Sequence, residues 1–181
     1  PGMGQELFKT DGTLAGTVLV KDINPGSGGS LPKNFTDVNG TIFFTASGSN
    51  SNAELWKTDG TAAGTVLVKD ILPGNTGSAP EMLTNVNGVL YFRATDSIHG
   101  VELWRSDGTA EGTVMTKDIF PGPGNANPVA ISPIADKVVF YADDKVHGQE
   151  LWSADVTPTA TGFTWLGNIS TEWENAANWS G

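Results

Sequence analysis

Two histidines sit in short loops, each preceded three residues earlier by an aspartate: Asp96 with His99, and Asp144 with His147. A further carboxylate, Asp143, adjoins the second pair. Imidazole and carboxylate together can ligate a divalent metal, and the Asp143–Asp144 pair has the residue types of an acid/base couple. Spacing argues for a plainer origin. His99 lies as far from His147 as Asp96 does from Asp144, and that interval recurs throughout the chain. Equivalent loops on neighbouring sheets stand about 10 Å or more apart, whereas shared ligation needs bonds of about 2.0–2.2 Å. Descent of both pairs from one duplicated loop explains their phase, and no metal or other cofactor is expected. The chain contains no G-x-x-x-x-G-K-[ST] phosphate loop, no G-x-S-x-G elbow and no H-E-x-x-H. A lyase or hydrolase using Asp143 and Asp144 is the enzymatic alternative. The expected protein is non-catalytic, with Asp96, His99, Asp143, Asp144 and His147 as candidate ligand-facing loop residues.

The elements that must carry these loops are set by the same interval. Glu6-Leu7-Phe8, Glu54-Leu55-Trp56, Glu102-Leu103-Trp104 and Glu150-Leu151-Trp152 follow one another at constant spacing, with no insertion or deletion. The match extends through residues 6–26, 54–74 and 102–122. The period, about 48 residues, falls among those of propeller blades, whose units cannot bury their apolar faces alone.

One repeat, residues 32–79, reads as four strands. They are Asn34 to Val38, Thr41 to Ala46, Glu54 to Thr58 and Thr65 to Ile71. Asn39-Gly40 joins the first two as a two-residue hairpin turn, since both residues tolerate positive φ. Asp59-Gly60-Thr61 makes the turn between the last two. Its Asp can accept bonds from backbone N–H groups two or three residues on, and its Gly supplies positive φ. Several strands are apolar on both faces, as in Ile42-Phe43-Phe44 and Val89-Leu90-Tyr91-Phe92. A sandwich would wet one face and alternate cleanly, whereas a blade is covered on both. The expected fold is therefore all-β: propeller-type, four-stranded antiparallel blades, with an open β-solenoid as the alternative.

Phe8, Trp56, Trp104 and Trp152 share one register position and are expected between adjacent blades. Burying one such ring removes roughly 150–250 Å² from water, about 4–6 kcal/mol gross. Ligand stacking is the other use of such rings. The repeated Glu and the pairs Lys21-Asp22, Lys69-Asp70 and Lys117-Asp118 are expected to tie loops and neighbouring blades together.

The expected organisation is a half blade at 4–26, blades at 32–74 and 80–122, and a partial blade at 128–153. These make a propeller-like region over 1–155. A linker at 156–162 follows, and 163–181 reads as the opening of a second β-rich module with three Trp. The half-blade start and the opening Pro1-Gly2-Met3 suggest a piece of a longer chain, with completion by neighbouring chains as the other possibility.

Composition narrows the partners. The 181 residues carry a net charge of −10 and only 10 Lys and Arg. That disfavours nucleic acid and anionic lipid, both of which need clustered cations. With no cysteine, disulfides, thiolate metal sites and cysteine catalysis are excluded. No apolar run approaches the roughly 18 residues of a spanning helix, so no membrane insertion is expected. The 23 Gly and 10 Pro suit many short strands joined by tight turns.

ELWKTDGT at 54–61 and ELWRSDGT at 102–109 resemble the ELWxxDGT repeat of large bacterial surface and secreted proteins. ELFKTDGT at 6–13 fits with Phe8 for Trp. ELWSADVT at 150–157 keeps Glu, Leu, Trp and Thr but loses the Asp-Gly. The resemblance covers residues 4 to about 155. It implies a bacterial, extracellular, propeller-like setting and no settled activity. The tail resembles the start of Trp-rich modules in long surface proteins, some exported by the type IX pathway.

Within a blade, the loop between the second and third strands shares a face with the loop linking consecutive blades. These loops vary most: residues 47–52, 95–100 and 143–148 differ, while the framework does not. The expected function is thus a cell-surface or secreted binding and adhesion module, taking a surface glycan or protein through those loops. An architectural subunit completed by neighbouring chains is the alternative.

Overall fold

The computed structural model describes residues 4–49 and 52–156, and the backbone of 163–165. The fold is all-β, and there is no helix among the described residues. Four antiparallel sheets follow one another along the chain. The first holds β1 (Leu7–Lys9) and β2 (Val18–Lys21). The second holds β3 (Lys33–Val38), β4 (Thr41–Ser47), β5 (Ala53–Thr58) and β6 (Val66–Lys69), in that order. The third holds β7 (Glu81–Val86), β8 (Val89–Thr95), β9 (Val101–Ser106) and β10 (Val114–Lys117). The fourth holds β11 (Val129–Ile134), β12 (Lys137–Asp143), β13 (Gln149–Asp155) and β14 (Phe163–Trp165).

Every sheet is a meander of sequential neighbours, as short connections and tight turns favour. Asn39 and Gly40 have φ of 53° and 84°, so Val38 faces Thr41 across a two-residue turn. Asn87 and Gly88 repeat this at 52° and 86°. In the fourth sheet the first turn residue is Ala135, at φ 52°. Alanine adopts that left-handed conformation at a cost of about 1–2 kcal/mol that asparagine largely avoids. Ala135→Asn is therefore expected to stabilise the chain by about 1 kcal/mol, read as a higher denaturant midpoint at unchanged slope.

The first strand of each complete sheet carries a register shift, between Lys33 and Thr36, Glu81 and Thr84, and Val129 and Ser132. Asn34, Met82 and Ala130 hold positive φ there. A bulge that inserts a left-handed residue is thus built into each copy, although only one copy has an Asn.

The three apolar clusters each draw on two consecutive sheets. Leu7, Val20 and Ile23 of the first sheet segment meet Phe44 and Ala46 of the second. Val38, Phe43 and Leu55 meet Leu90, Phe92 and Trp104. Val86, Tyr91 and Leu103 meet Val138, Phe140 and Trp152. Successive side chains on a strand point to opposite faces. Leu7, Leu55 and Leu103 therefore pack forward and Trp56, Trp104 and Trp152 pack backward, which explains why these strands are apolar on both faces.

Contact between complete sheets is concentrated near their first strands, where β3 meets β7 and β7 meets β11. There the Thr36 hydroxyl donates to the Leu83 carbonyl at 3.0 Å, and the Asn85 amide donates to the Asp37 carbonyl at 2.9 Å.

Phe8, placed by sequence between blades, is 48% exposed, because its side of the first sheet has no covering sheet among the described residues. Phe163–Trp165, assigned by sequence to a separate module, pairs with β13 as the fourth strand of the fourth sheet. Residues 157–162 of the expected linker and 166–181 of the expected module lie outside the described residues.

Candidate functional site

The loops on one end of the sheets are pinned by a repeated buried carboxylate. Glu54 accepts the N–H of Ile71 at 3.2 Å, of Leu72 at 3.3 Å and of Ser78 at 2.8 Å, and also the Ser78 hydroxyl. Glu6 is bound in the same way by Ile23, Asn24 and Ser30, with the Ser30 hydroxyl at 2.6 Å. Glu102 receives the N–H groups of Ile119, Phe120 and Ala126. Each Glu therefore fastens the end of its own sheet to the connection leading into the next. The third copy has Ala126 where the others have serine, so one donor is lost.

Burial pushes the Glu102 carboxyl up to about 7, against the pull of its three N–H donors and with help from the nearby Asp118 charge. Burial also raises Glu54, opposed first by the Ser78 hydroxyl. The signal is present in the sequence as Glu followed 24 residues later by Ser, Ser and Ala. Nothing in the composition says that this Glu is interior.

At the other end of the third and fourth strands, the Asp-Gly-Thr turns are closed internally. Asp59 Oδ1 accepts the Thr61 N–H at 2.8 Å and the Thr61 hydroxyl at 2.7 Å. The Thr61 hydroxyl bond, then its N–H, hold the Asp59 carboxyl below its ordinary range, and Asp11 and Asp107 behave alike. Gly60 sits at φ 85°. A Cβ on Gly64 would stand 2.1 Å from Asp59 Oδ1, which fixes glycine at that place too.

Lysines carry the ties between sheets. Lys9 donates to the Gly60 carbonyl at 3.0 Å and Lys57 to that of Gly108 at 2.8 Å. Lys21 donates to the Thr65 carbonyl and Lys69 to that of Thr113, both at 2.7 Å. Lys117 instead lies over the Trp152 ring, 5.2 Å from its centre.

The predicted loop residues are engaged within their own loops. Asp96 Oδ1 accepts the N–H groups of Ile98 and His99 at 2.8 and 2.6 Å, and its Oδ2 meets His99 Nδ1 at 2.8 Å. Desolvation pushes Asp96 up, but the His99 ring and the two N–H groups outweigh it and hold the carboxyl low. The same bond raises His99. Asp144 repeats this with Val146 and His147, its Oδ2 lying 2.7 Å from His147 Nδ1. Asp143 accepts the Lys145 N–H at 2.7 Å. Among the described residues, no three His, Cys, Asp or Glu side chains converge as a metal-binding group.

The aromatic positions divide. Trp104 and Trp152 are 6% and 5% exposed, each in the core shared with the preceding sheet. Trp56 is only half-buried. Beside it opens a cleft of about 240 Å³. Gly48, Ser49 and Asn52 of the β4–β5 loop line one side, and Ile23 of the preceding segment lines another. Glu54, Trp56, Leu67 and Asp70 complete it. Sequence reasoning names the β4–β5 loop as variable and Trp56 as a seam residue. It misses their convergence, because the cleft takes residues from two sheet units.

Compared with known protein families and with curated proteins, this chain matches none.

Proposed function

We propose that this chain is a non-catalytic, extracellular binding and adhesion module of a bacterial surface or secreted protein of the ELWxxDGT repeat type. The sheets act as propeller-type blades. Stacking through three successive seams, closest at the first strands, supports that arrangement. The ligand is a surface glycan held at the end of the sheets where the variable loops lie.

The cleft beside Trp56 carries this reading. It combines an indole, the polar side chains of Ser49 and Asn52 and the carboxylate of Asp70. An apolar ring face with a few oriented polar groups is the chemistry that recognises a sugar, whose faces are apolar and whose rim is hydroxylated. Glu54 and Glu102 fix the connections between sheets, giving the loops a rigid base.

The test is a glycan array probed with the chain, followed by titration of the best ligand. Ser49 is exposed at the cleft. Ser49→Arg is expected to abolish binding while leaving the melting temperature almost unchanged, since exposed substitutions alter stability little. Failure to retain any glycan or any bacterial cell-surface preparation sinks the reading.

A further inference from the structure

The cleft beside Trp56 is lined by carboxylates and by no cation. Glu54 and Asp70 both border it, and none of its lining residues is a lysine, arginine or histidine. The lysines nearest in the repeat are committed elsewhere. Lys69, next to Asp70, donates to the Thr113 carbonyl in the following sheet unit. Lys21 donates to the Ala62 and Thr65 carbonyls. Glu54 spends its oxygens on the Ile71, Leu72 and Ser78 donors. Asp70 is exposed, and its carboxylate is the acceptor left to a ligand.

The later copies show what the same place accommodates. The loop beside the cleft, residues 47–52, is built of serine, glycine and asparagine and holds no basic side chain. One repeat on, His99 stands at the position of Ser51. Its ring meets Asp96 at 2.8 Å. The charges of Asp118 and Glu102, the counterparts of Asp70 and Glu54, also act on it. Two repeats on, Lys145 stands at the position of Ser49. Its ammonium lies 5.7 Å from the centre of the Phe120 ring. Phe120 follows Ile119, the counterpart of Ile23 in the cleft wall. Both later copies thus bring a nitrogen base from this loop to the junction of loop and connection. In the second copy the carboxylates remain, the base is missing, and Trp56 is half-buried where Trp104 is covered.

We propose that the cleft beside Trp56 selects a glycan bearing a free amine, a hexosamine unit that is not N-acetylated. This rests on the reading of the cleft as a glycan site and adds the substituent that it selects. The sugar face lies on the Trp56 indole, Ser49 and Asn52 meet ring hydroxyls, and the ammonium pairs with Asp70. A hydrogen bond between charged partners is about twice as strong as a neutral one. An ammonium close to an indole face gains further. An N-acetyl group carries no charge and would leave Asp70 without a counter-ion. An acidic sugar would meet carboxylates in the cleft and a chain of net charge −10.

The experiment titrates the full chain by calorimetry at mildly acidic pH, where the sugar amine is protonated. The probes are a glucosamine trisaccharide, its fully N-acetylated form, and a lysine blocked at both backbone ends. The free-amine trisaccharide is expected to bind about ten-fold more tightly than the acetylated one. Asp70→Asn should remove that preference and leave the affinity for the acetylated form unchanged. Its exposure keeps the variant folded, which thermal melting checks. Equal or tighter binding of the acetylated form overturns the inference, as does a preference that survives Asp70→Asn. Blocked lysine binding as tightly as the free-amine trisaccharide also overturns it, because the amine alone would then suffice. If neither trisaccharide binds while another glycan is retained on the array, the inference fails and the glycan reading stands. If no glycan is retained, the glycan reading fails and takes the inference with it.

Discussion

Trp104→Ala and Trp152→Ala are each expected to destabilise the chain by about 3–5 kcal/mol, and Phe8→Ala by less than about 1 kcal/mol. All three residues hold the same place in the repeat, so sequence alone would rank them equal. The difference comes from what covers each ring. Trp104 packs among Leu55, Phe43 and Leu90 in the second seam, and Trp152 among Leu103, Tyr91 and Phe140 in the third. Removing either ring leaves a cavity between two sheets that cannot close without moving both. Phe8 already faces outward.

A finer contrast separates the two tryptophans. The Trp152 indole N–H donates to the Ala142 carbonyl at 3.2 Å, whereas that of Trp104 is buried without a partner among the described residues. Phenylalanine at 152 removes a made hydrogen bond; at 104 it removes an unsatisfied donor. Trp152→Phe should thus cost about 1 kcal/mol more than Trp104→Phe. Urea unfolding of the variants measures both comparisons, and equal losses at all three positions would refute the seam assignment.

Stability should fall as pH rises from about 4.5 to about 7, with Glu102 of the third repeat the main source and the raised Glu54 of the second acting in the same direction. Glu102 titrates near 7 in the folded chain, against an ordinary 4.5. Its folded pKa is raised, so between those values the folded state binds a proton that the unfolded state has released. The contribution is therefore fully present below about 4.5 and lost by the time the pH passes 7. The side chain has no exposure to solvent that would screen its charge. Burying that charge is worth roughly 3 kcal/mol against folding above the folded pKa, as an order of magnitude. His99 is also raised, and its loss lies in the same direction from its ordinary 6.5 upward. The lowered carboxylates act oppositely, but only at and below their ordinary 3.8.

A single substitution isolates the Glu102 share. Ala126→Ser restores the hydroxyl that Ser30 and Ser78 supply in the other copies, at a site that is buried in all three. Its benefit is expected to be small near pH 5, where Glu102 is protonated. Near pH 8 it should reach about 1.5–3 kcal/mol, the value of a bond to a charged group. Urea unfolding at the two pH values reads the difference. An equal benefit at both would show that the hydroxyl fills space without meeting the carboxylate.

The local rules of this chain are legible because they are covalent neighbours' business. Asn39-Gly40 makes its turn through φ values that those two residues tolerate, and Asp59 closes on Thr61 two residues away. The hairpins, the turn chemistry and the antiparallel four-stranded units follow from these and from apolar patterning. The Asp96–His99 and Asp144–His147 pairs are visible too, but not their use. The carboxylates are spent on their own loop N–H groups, which only coordinates can show.

The unit is thus written in the residues themselves: its period, its four strands, and turns whose backbone angles are chosen letter by letter. What identical letters do is another matter, and it waits on the assembled sheets. Phe8 is open where Trp104 is covered, and Phe163–Trp165 joins the fourth sheet. Glu102 is driven toward neutrality by burial that no serine hydroxyl opposes. The physical reason is that burial belongs to a pair of sheets rather than to a residue. A repeat fixes which side chains point forward and backward, but desolvation, cavities and clefts depend on what stands opposite, and that is set only when the sheets meet.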